Sequence, residues 1–398
     1  MSALTPLHRL WRVLPAGPRR GALSRGAAWL APRPDRPAPK ARGGIAVCGE
    51  IGRASGLGEG ARLMLDGLRG LGVACWGLEC GLLGGAPAEM PPEGVPLVIH
   101  VNAPSLPAAL LRMPRGLLRG RRVVGFWAWE LETVPAAWTR GAPFVHDIWV
   151  PSRFTAAALE QLAPGRVRVV PHPVASCPPV PSGLTRTDFG LPEGVVVVLV
   201  SFSLASSFER KNPLAAIAAF RAAFGARPDR LLLLKILHAE HAPKDLARLQ
   251  LACAGAANIM FETRILPLAD SHALTACADI VLSLHRSEGF GLVPAEAMLL
   301  GRPVVATDYS GTRDFVAAPW AVPVPYRLVP AVDPRGVFEA PGAMWAEADV
   351  EEAAKALRRL ADDPNERARL GEAGRAAAQA RLGTGALAEA VRSLGLAV

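Results

Sequence analysis

Ser287-Glu288-Gly289-Phe290-Gly291-Leu292-Val293-Pro294-Ala295-Glu296-Ala297-Met298-Leu299-Leu300-Gly301-Arg302-Pro303-Val304-Val305 reads as a strand end, a glycine loop, a helix and the next strand. Pro294 suits the first helical position, Glu296 falls in the first turn, and Gly301 stops the helix. Gly289 and Gly291 let the backbone approach a ligand, and the free N–H groups of a helix start favour an anion. Glu288 stands at the loop mouth, with Glu296 projecting from the helix beside it. Carboxylates next to an anion site make sense when they accept hydrogen bonds from sugar hydroxyls. Taken singly, each acid has a plainer reading: Glu296 complements the helix dipole and Glu288 is a loop charge.

Outward from this stretch, apolar runs alternate with amphipathic ones. Strands are expected at 195–200, 230–237, 258–262, 280–283 and 304–307, with helices at 213–224 and 243–254 and a helical end from 350. Upstream, strands at 44–48, 72–77, 97–101, 122–126, 147–150 and 167–170 flank helices at 58–71 and 153–162. Strands separated by helices of this length imply βαβ units and parallel sheets. The run 195–200 is pure Val and Leu, as a strand buried on both faces requires. Between the two sets lies a proline-dense stretch with no period. The expected organisation is α/β: a basic leader (1–42), a doubly wound unit (43–174), a linker (175–192), a second doubly wound unit (193–380) and a final helix (381–398). The ligand of such a pair sits in the crevice at the carboxyl ends of both sheets.

Two further loops carry chemistry. Phe202-Ser203-Leu204-Ala205-Ser206-Ser207-Phe208-Glu209-Arg210-Lys211-Asn212-Pro213 follows a buried strand and precedes a helix. Arg210 and Lys211 together can neutralise a diphosphate leaving group. Cations are slightly unfavourable at a helix start, so a bound anion explains them better than a solvated pair. Gly49-Glu50-Ile51-Gly52-Arg53-Ala54-Ser55-Gly56-Leu57-Gly58-Glu59-Gly60-Ala61-Arg62 joins the first strand to the first helix. Its glycines, Gly56 and Gly58 among them, admit a phosphate or sugar to the backbone. The spacing is not GxGxxG, yet Glu79 lies after the second strand, where a dinucleotide fold holds its ribose acid. A NAD-type enzyme is therefore the alternative, although it leaves the Glu288 segment unexplained.

The segment from Glu288 to Thr307 resembles the E-x7-E pattern of glycosyltransferase family 4, and Arg210-Lys211-Asn212-Pro213 is similar to another element of that family. The resemblance implies the GT-B fold: two Rossmann-like domains facing across a cleft, with C-terminal helices packing back toward the first. It implies retaining, hexosyl-type transfer without a bound metal from a nucleotide-sugar donor, which is a co-substrate and not a cofactor. Glu288 would bind donor-sugar hydroxyls, with Lys211 and Arg210 at the diphosphate. Gly289, Phe290, Gly291 and Leu292 would lie along the sugar and phosphate, and Glu296 would take the ribose hydroxyls. Gly56 and Gly58 become the lip of the first domain.

Many members place a His after a strand of the first domain. Here Val123-Val124-Gly125-Phe126-Trp127-Ala128-Trp129-Glu130-Leu131-Glu132 has none. The Trp129-Glu130 pair resembles bacterial surface-polysaccharide transferases. Trp127 and Trp129 stack on sugar faces or pack at a domain edge, and Glu130 bonds the acceptor. His100 and Asn102 end the preceding strand facing the cleft, His172 is structural, and His285 and Arg286 line the donor pocket.

Charge bounds the partners. The 398 residues carry a formal +9, but residues 1–42 alone hold nine bases and one acid (Asp35), leaving a nearly neutral body. A general nucleic-acid binder is excluded on that count. The leader, with a short helix expected from Leu4 to Leu14, is read either as an address for anionic lipid, where a lipid-linked or glycan acceptor would lie, or as plain disorder. Six scattered cysteines without a CxxC pair fit a reduced, cytoplasmic setting, peripheral to the membrane's inner face. No Asp-x-Asp metal motif is present. A non-catalytic nucleotide-sugar binder or a membrane adaptor remains the other class of reading.

Overall fold

A computed structural model describes residues 16–53, 55–80, 90–338 and 340–398; the helix expected at Leu4–Leu14 lies outside them. In the first domain the strands are β1 (Ile45–Gly49), β2 (Cys75–Glu79), β3 (Leu97–Ile99), β4 (Val123–Phe126), β5 (Asp147–Val150) and β6 (Val167–Val169). They form one parallel sheet in the order β2-β1-β3-β4-β5-β6. The second domain has β7 (Val196–Ser203), β8 (Arg230–Leu237), β9 (Ile259–Glu262), β10 (Ile280–Ser283), β11 (Val304–Thr307) and β12 (Val322–Val324). Their order is β12-β11-β10-β7-β8-β9, again parallel. Central strands such as β7 and β8 are buried on both faces, which is why they read as unbroken Val and Leu. Two Rossmann-like domains facing across a cleft is the GT-B fold.

Helices α1 (Ala16–Leu30), α2 (Gly56–Gly70), α3 (Leu106–Leu110) and α4 (Arg153–Glu160) serve the first domain. In the second are α5 (Phe208–Lys211), α6 (Pro213–Phe224), α7 (Pro243–Ala252), α8 (Leu268–Cys277), α9 (Leu292–Leu299), α10 (Val350–Asp362) and α11 (Pro364–Arg381). The last helix, α12 (Gly385–Ser393), returns: Leu387, Ala390 and Val391 enter the first domain's core with Ile45, Val47 and Leu68. Starts are capped as the sequence permits, by Ser55, Ser152, Asp349 and Asp363 accepting from the first-turn N–H groups.

Two features differ from the sequence expectation. Residues 16–42 are no detached tail: Ala31 is buried, Gly120 N donates to Asp35 at 2.7 Å, and Arg42 N bonds Gly94 O at 3.0 Å. An antiparallel hairpin of β13 (Tyr326–Pro330) and β14 (Met344–Ala348) also leaves the second domain. Its residues Phe338, Ala343 and Trp345 complete the first domain's core. The alternating pattern had no place for such a crossing, because its apolar residues answer to a sheet remote in sequence.

Candidate functional site

In both parallel sheets the strand order reverses, at β1 between β2 and β3 and at β7 between β10 and β8. Ligands of such sheets bind beyond the carboxyl ends at these switch points. In the second domain the loops concerned are those after β7 and β10, which carry Lys211 and Glu288. The residues expected in a loop at 208–211 instead form one helical turn, α5, whose N-cap Ser207 accepts from Arg210 N at 3.2 Å. Asn212, left-handed at φ 50°, breaks it before α6. Arg210 and Lys211 thus end a helix rather than start one, and the dipole argument for a bound anion lapses. What holds them is carboxylate.

Glu288 lies between the two cations. Lys211 Nζ donates to its Oε1 at 2.5 Å, and Arg210 Nη1 stands 3.0 Å from Oε2. Arg210 also donates to Ser287 O at 2.7 Å and Ser206 Oγ at 2.8 Å, and approaches Glu130 Oε1 of the first domain at 3.8 Å. Glu288 N donates to Ser310 Oγ at 2.8 Å, and Ser287 Oγ donates to Glu130 O across the cleft. Burial alone would push the Glu288 carboxyl up, but Lys211 and Arg210 overcome it and hold the group well below the usual carboxylate range. Glu130 goes the other way: burial pushes it up, and Arg210 offsets only part of that. The Arg210 side chain is 5 % exposed and the Lys211 side chain 22 %, so only Lys211 keeps a face toward solvent.

The glycines account for how tightly the loop is folded. A Cβ on Gly291, at φ +102°, would lie 2.5 Å from Thr312 Cγ2; on Gly311 it would lie 2.3 Å from Gly289 O. Gly289 itself faces the backbone of Trp129 from the other domain. Phe290 is buried and meets His172 edge-on at 5.0 Å, so this residue offers its backbone only. Helix α9 begins at Leu292, which puts Pro294 third and Glu296 fifth. Glu296 therefore lies beyond the first turn, where the dipole has faded. Burial, with Glu59 of α2 adding repulsion, pushes its carboxyl up to about 8. Gly58 allows α2 to start close beneath Glu50 O, where a Cβ would be at 2.4 Å, while Gly56 opens the helix in free space.

In the first domain Asn102 brackets Ala128, its Nδ2 donating to Ala128 O and its Oδ1 accepting from Ala128 N, both at 2.9 Å. Its amide is spent on holding the loop that presents Glu130. Trp127 is fully buried, and Trp129, with its indole N–H on Thr133 O at 3.0 Å, stacks between Trp138 and Phe338. These rings are core packing, the second of the two roles the sequence left open for them. His100 is likewise buried, stacked on Phe126 at 4.3 Å. His285 is held by Ser283 and Thr312, with burial first among the causes that lower it to about 4. Arg286 does not line an open pocket: it pairs with Glu347 at 2.6 Å and Glu209 at 3.2 Å over the Trp345 ring.

Several residues at the site were not singled out from the sequence. Asp333, in the turn of the β13–β14 hairpin, is 1 % exposed; it accepts from Val337 N at 3.0 Å and from Ser207 Oγ at 3.1 Å. Phe338 of the same turn lies 5.4 Å from the Arg210 guanidinium. Tyr309 donates to Glu132 Oε1 at 3.2 Å and Arg153 N to Asp314 Oδ2 at 2.8 Å, closing the domains on each other. No local pattern marks these residues, since each acquires its partner only when the hairpin or the domains meet.

Residues 198–363 match the family described as Glycosyl transferases group 1. The match covers most of the second domain and supports glycosyl transfer as the activity. No curated protein matches the chain. Among solved structures, a glycosyltransferase from Rickettsia africae ESF-5 is similar at TM-score 0.63 and 13% identity, over 89% of this chain and 98% of that one. Sucrose-phosphate synthase from Thermosynechococcus elongatus is similar at TM-score 0.63 and 17% identity, over the same shares of 89% and 98%. Anabaena HepE in complex with UDP and glucose is similar at TM-score 0.60 and 13% identity, over 88% and 99%. At these identities the likeness concerns the fold. Arg210, Lys211, Glu288 and Glu296 all fall in the matched range.

Proposed function

We propose that the protein is a retaining, metal-independent glycosyltransferase of the family 4 type. It moves a hexosyl group from a nucleotide-sugar to a glycan or lipid-linked acceptor in the synthesis of a surface polysaccharide. One observation carries this reading: Lys211, Arg210 and Glu288, at the switch point of the second sheet, converge on Glu130 in the loop after β4 of the first. Lys211, the cation with an open face, meets the diphosphate, and its positive charge takes the place a metal would fill. Arg210, spent on Glu288, Ser287 and Ser206, positions that carboxylate instead of touching phosphate. Glu288 accepts from donor-sugar hydroxyls, Glu296 from the ribose, and the backbone at Gly289–Gly291 runs along the sugar.

In the reaction the acceptor oxygen bonds to the anomeric carbon on the face from which the diphosphate leaves. The bond from that carbon to the phosphate oxygen breaks, and the departing oxygen takes the acceptor's proton. Glu130, whose carboxyl burial pushes up against the pull of Arg210, hydrogen-bonds the acceptor in place of the His seen in other members. A position at the inner face of the cytoplasmic membrane suits a lipid-linked acceptor. The test is a screen of UDP, GDP and ADP sugars by thermal shift, followed by transfer assays with and without EDTA and NMR of the product anomer. An inverted product, or activity lost to EDTA and restored by a divalent cation, refutes the mechanism.

A further inference from the structure

Helix α1 leaves part of itself uncovered. Ala28 and Ala31 turn toward the first domain's core, while Leu23, Trp29 and Leu30 are 61%, 83% and 62% exposed. Arg25 on the same helix is exposed as well. The helix packs on α3 and on residues 136–140, where Arg140 Nη1 donates to Ser24 Oγ at 3.4 Å. The chain after α1 then ties to the loop that follows α3, through the Gly120 N to Asp35 bond of 2.7 Å. That loop adds an exposed Leu111 and three exposed arginines, Arg112, Arg115 and Arg119. Residues 106–122 contain five arginines and no acid. Between 16 and 42 the only acid is Asp35, which is spent on Gly120.

We infer that this composite face, Leu23, Trp29, Leu30 and Leu111 flanked by Arg25, Arg112, Arg115 and Arg119, is a docking surface for an anionic bilayer. An indole and three leucines set among cations match the headgroup boundary, where the apolar parts enter the acyl edge and guanidinium groups stay at the phosphates. In the two segments that build this face, 16–42 and 106–122, the one acid is Asp35, whose carboxylate accepts from Gly120 N, and a clustered apolar patch marks an interaction surface. The sequence pointed to the leader alone. The structure adds the α3 loop and gives the apolar residues, so the surface belongs to the folded domain rather than to a tail. Its position follows: residues 136–140, beneath α1, come directly after the loop carrying Glu130, on the acceptor side of the cleft. Binding to the bilayer rests only on this face; its use in delivering a lipid-linked acceptor rests on the transfer reading.

The experiment is co-sedimentation of the full chain with vesicles of phosphatidylcholine, with or without phosphatidylglycerol, at low and physiological salt. The wild-type chain is expected to bind the phosphatidylglycerol vesicles and not the neutral ones, and to release as salt rises. Partitioning changes by about fivefold per arginine near such a surface, so Arg112→Gln/Arg115→Gln/Arg119→Gln should weaken binding by roughly 100-fold. Trp29→Ser/Leu30→Ser should abolish it, with an unchanged Tm and an unchanged thermal response to nucleotides as fold control. Equal binding by wild type and both variants, or none by the wild type, overturns the inference. So does a dimer in gel filtration that Trp29→Ser/Leu30→Ser disperses, because the face would then be covered by a second copy. A protein that docks yet responds to no nucleotide sugar refutes the transfer reading and leaves the docking surface standing.

Discussion

Lys211 Nζ and Glu288 Oε1 meet at 2.5 Å, joining the loops that leave two adjacent strands of the second sheet. The ion pair is mostly buried, so removing one partner strands the other. Glu288→Gln or Lys211→Met should each destabilise the fold by about 1–3 kcal/mol, below the buried-pair range because Lys211 keeps some solvent contact. Transfer should fall by roughly 10²–10³ in kcat. The double variant should recover much of the Tm without recovering turnover. Calorimetry beside a transfer assay separates the two effects, and a double variant as active as wild type would remove both residues from the chemistry.

Asp333 acts on the same cations from a distance. Its carboxylate takes the Ser207 hydroxyl, and Ser207 caps the turn ending in Arg210 and Lys211. Asp333→Asn should lower kcat severalfold with KM for the donor little changed, while Asp333→Ala should add a stability loss of about 1–3 kcal/mol from unpaired groups. Urea melts and steady-state kinetics on the two variants check this. Equal kinetic defects for both, tracking stability, would reduce Asp333 to a structural role.

Glu296 sets a pH dependence. Burial and Glu59 raise its folded-state carboxyl to about 8, above the ordinary value of 4.5. The unfolded chain loses this proton first, so stability is full below about pH 4.5 and is progressively lost as pH rises toward 8. Glu296→Gln should flatten that part of the Tm–pH curve. Between pH 5 and 8 the wild type should lose roughly 2–5 °C more than the variant. A parallel pair of curves measured by differential scanning fluorimetry contradicts the assignment.

Gly60 is held open by a neighbour from the chain's return path. A Cβ there would lie 2.4 Å from His172 Cε1, and His172 in turn packs on Phe290 of the donor loop. Gly60→Ala should cost about 1–3 kcal/mol by overpacking. Gly60→Ala/His172→Ala should regain part of that, at the expense of Phe290's support and hence of donor affinity. Thermal melts with and without nucleotide sugar report both quantities.

The strands were legible because parallel sheets covered on both faces leave unbroken Val and Leu runs, as in 196–200 and 231–234. Glu288, Lys211 and the glycines between β10 and α9 were legible because loop, helix and strand constrain one another within a few residues. Arg210's commitment to Glu288 was not, since a guanidinium facing phosphate and one facing carboxylate look alike in a sequence. Trp129 stayed undecided for a related reason: beside Glu130 it reads as a sugar platform or as edge packing, and what covers its ring is Phe338, 209 positions later. The β13–β14 hairpin leaves no periodic trace because Phe338 and Trp345 pack into the other domain, and Asp333 leaves none because its partner Ser207 lies 126 positions away.

Helix α12 has a consequence for recombination. The chain passes between the domains once at residues 170–195 and again before α12, and the hairpin bearing Phe338 and Trp345 crosses a third time. Neither half is therefore a transplantable module. A chimaera that swaps the donor domain at the proline-dense junction would carry off the leucines and valine of α12 and the rings that seal the acceptor domain. An exchange of donor preference between such proteins has to be built as a mosaic, with residues 382–398 and the lining of the hairpin kept from the parent that supplies the first domain.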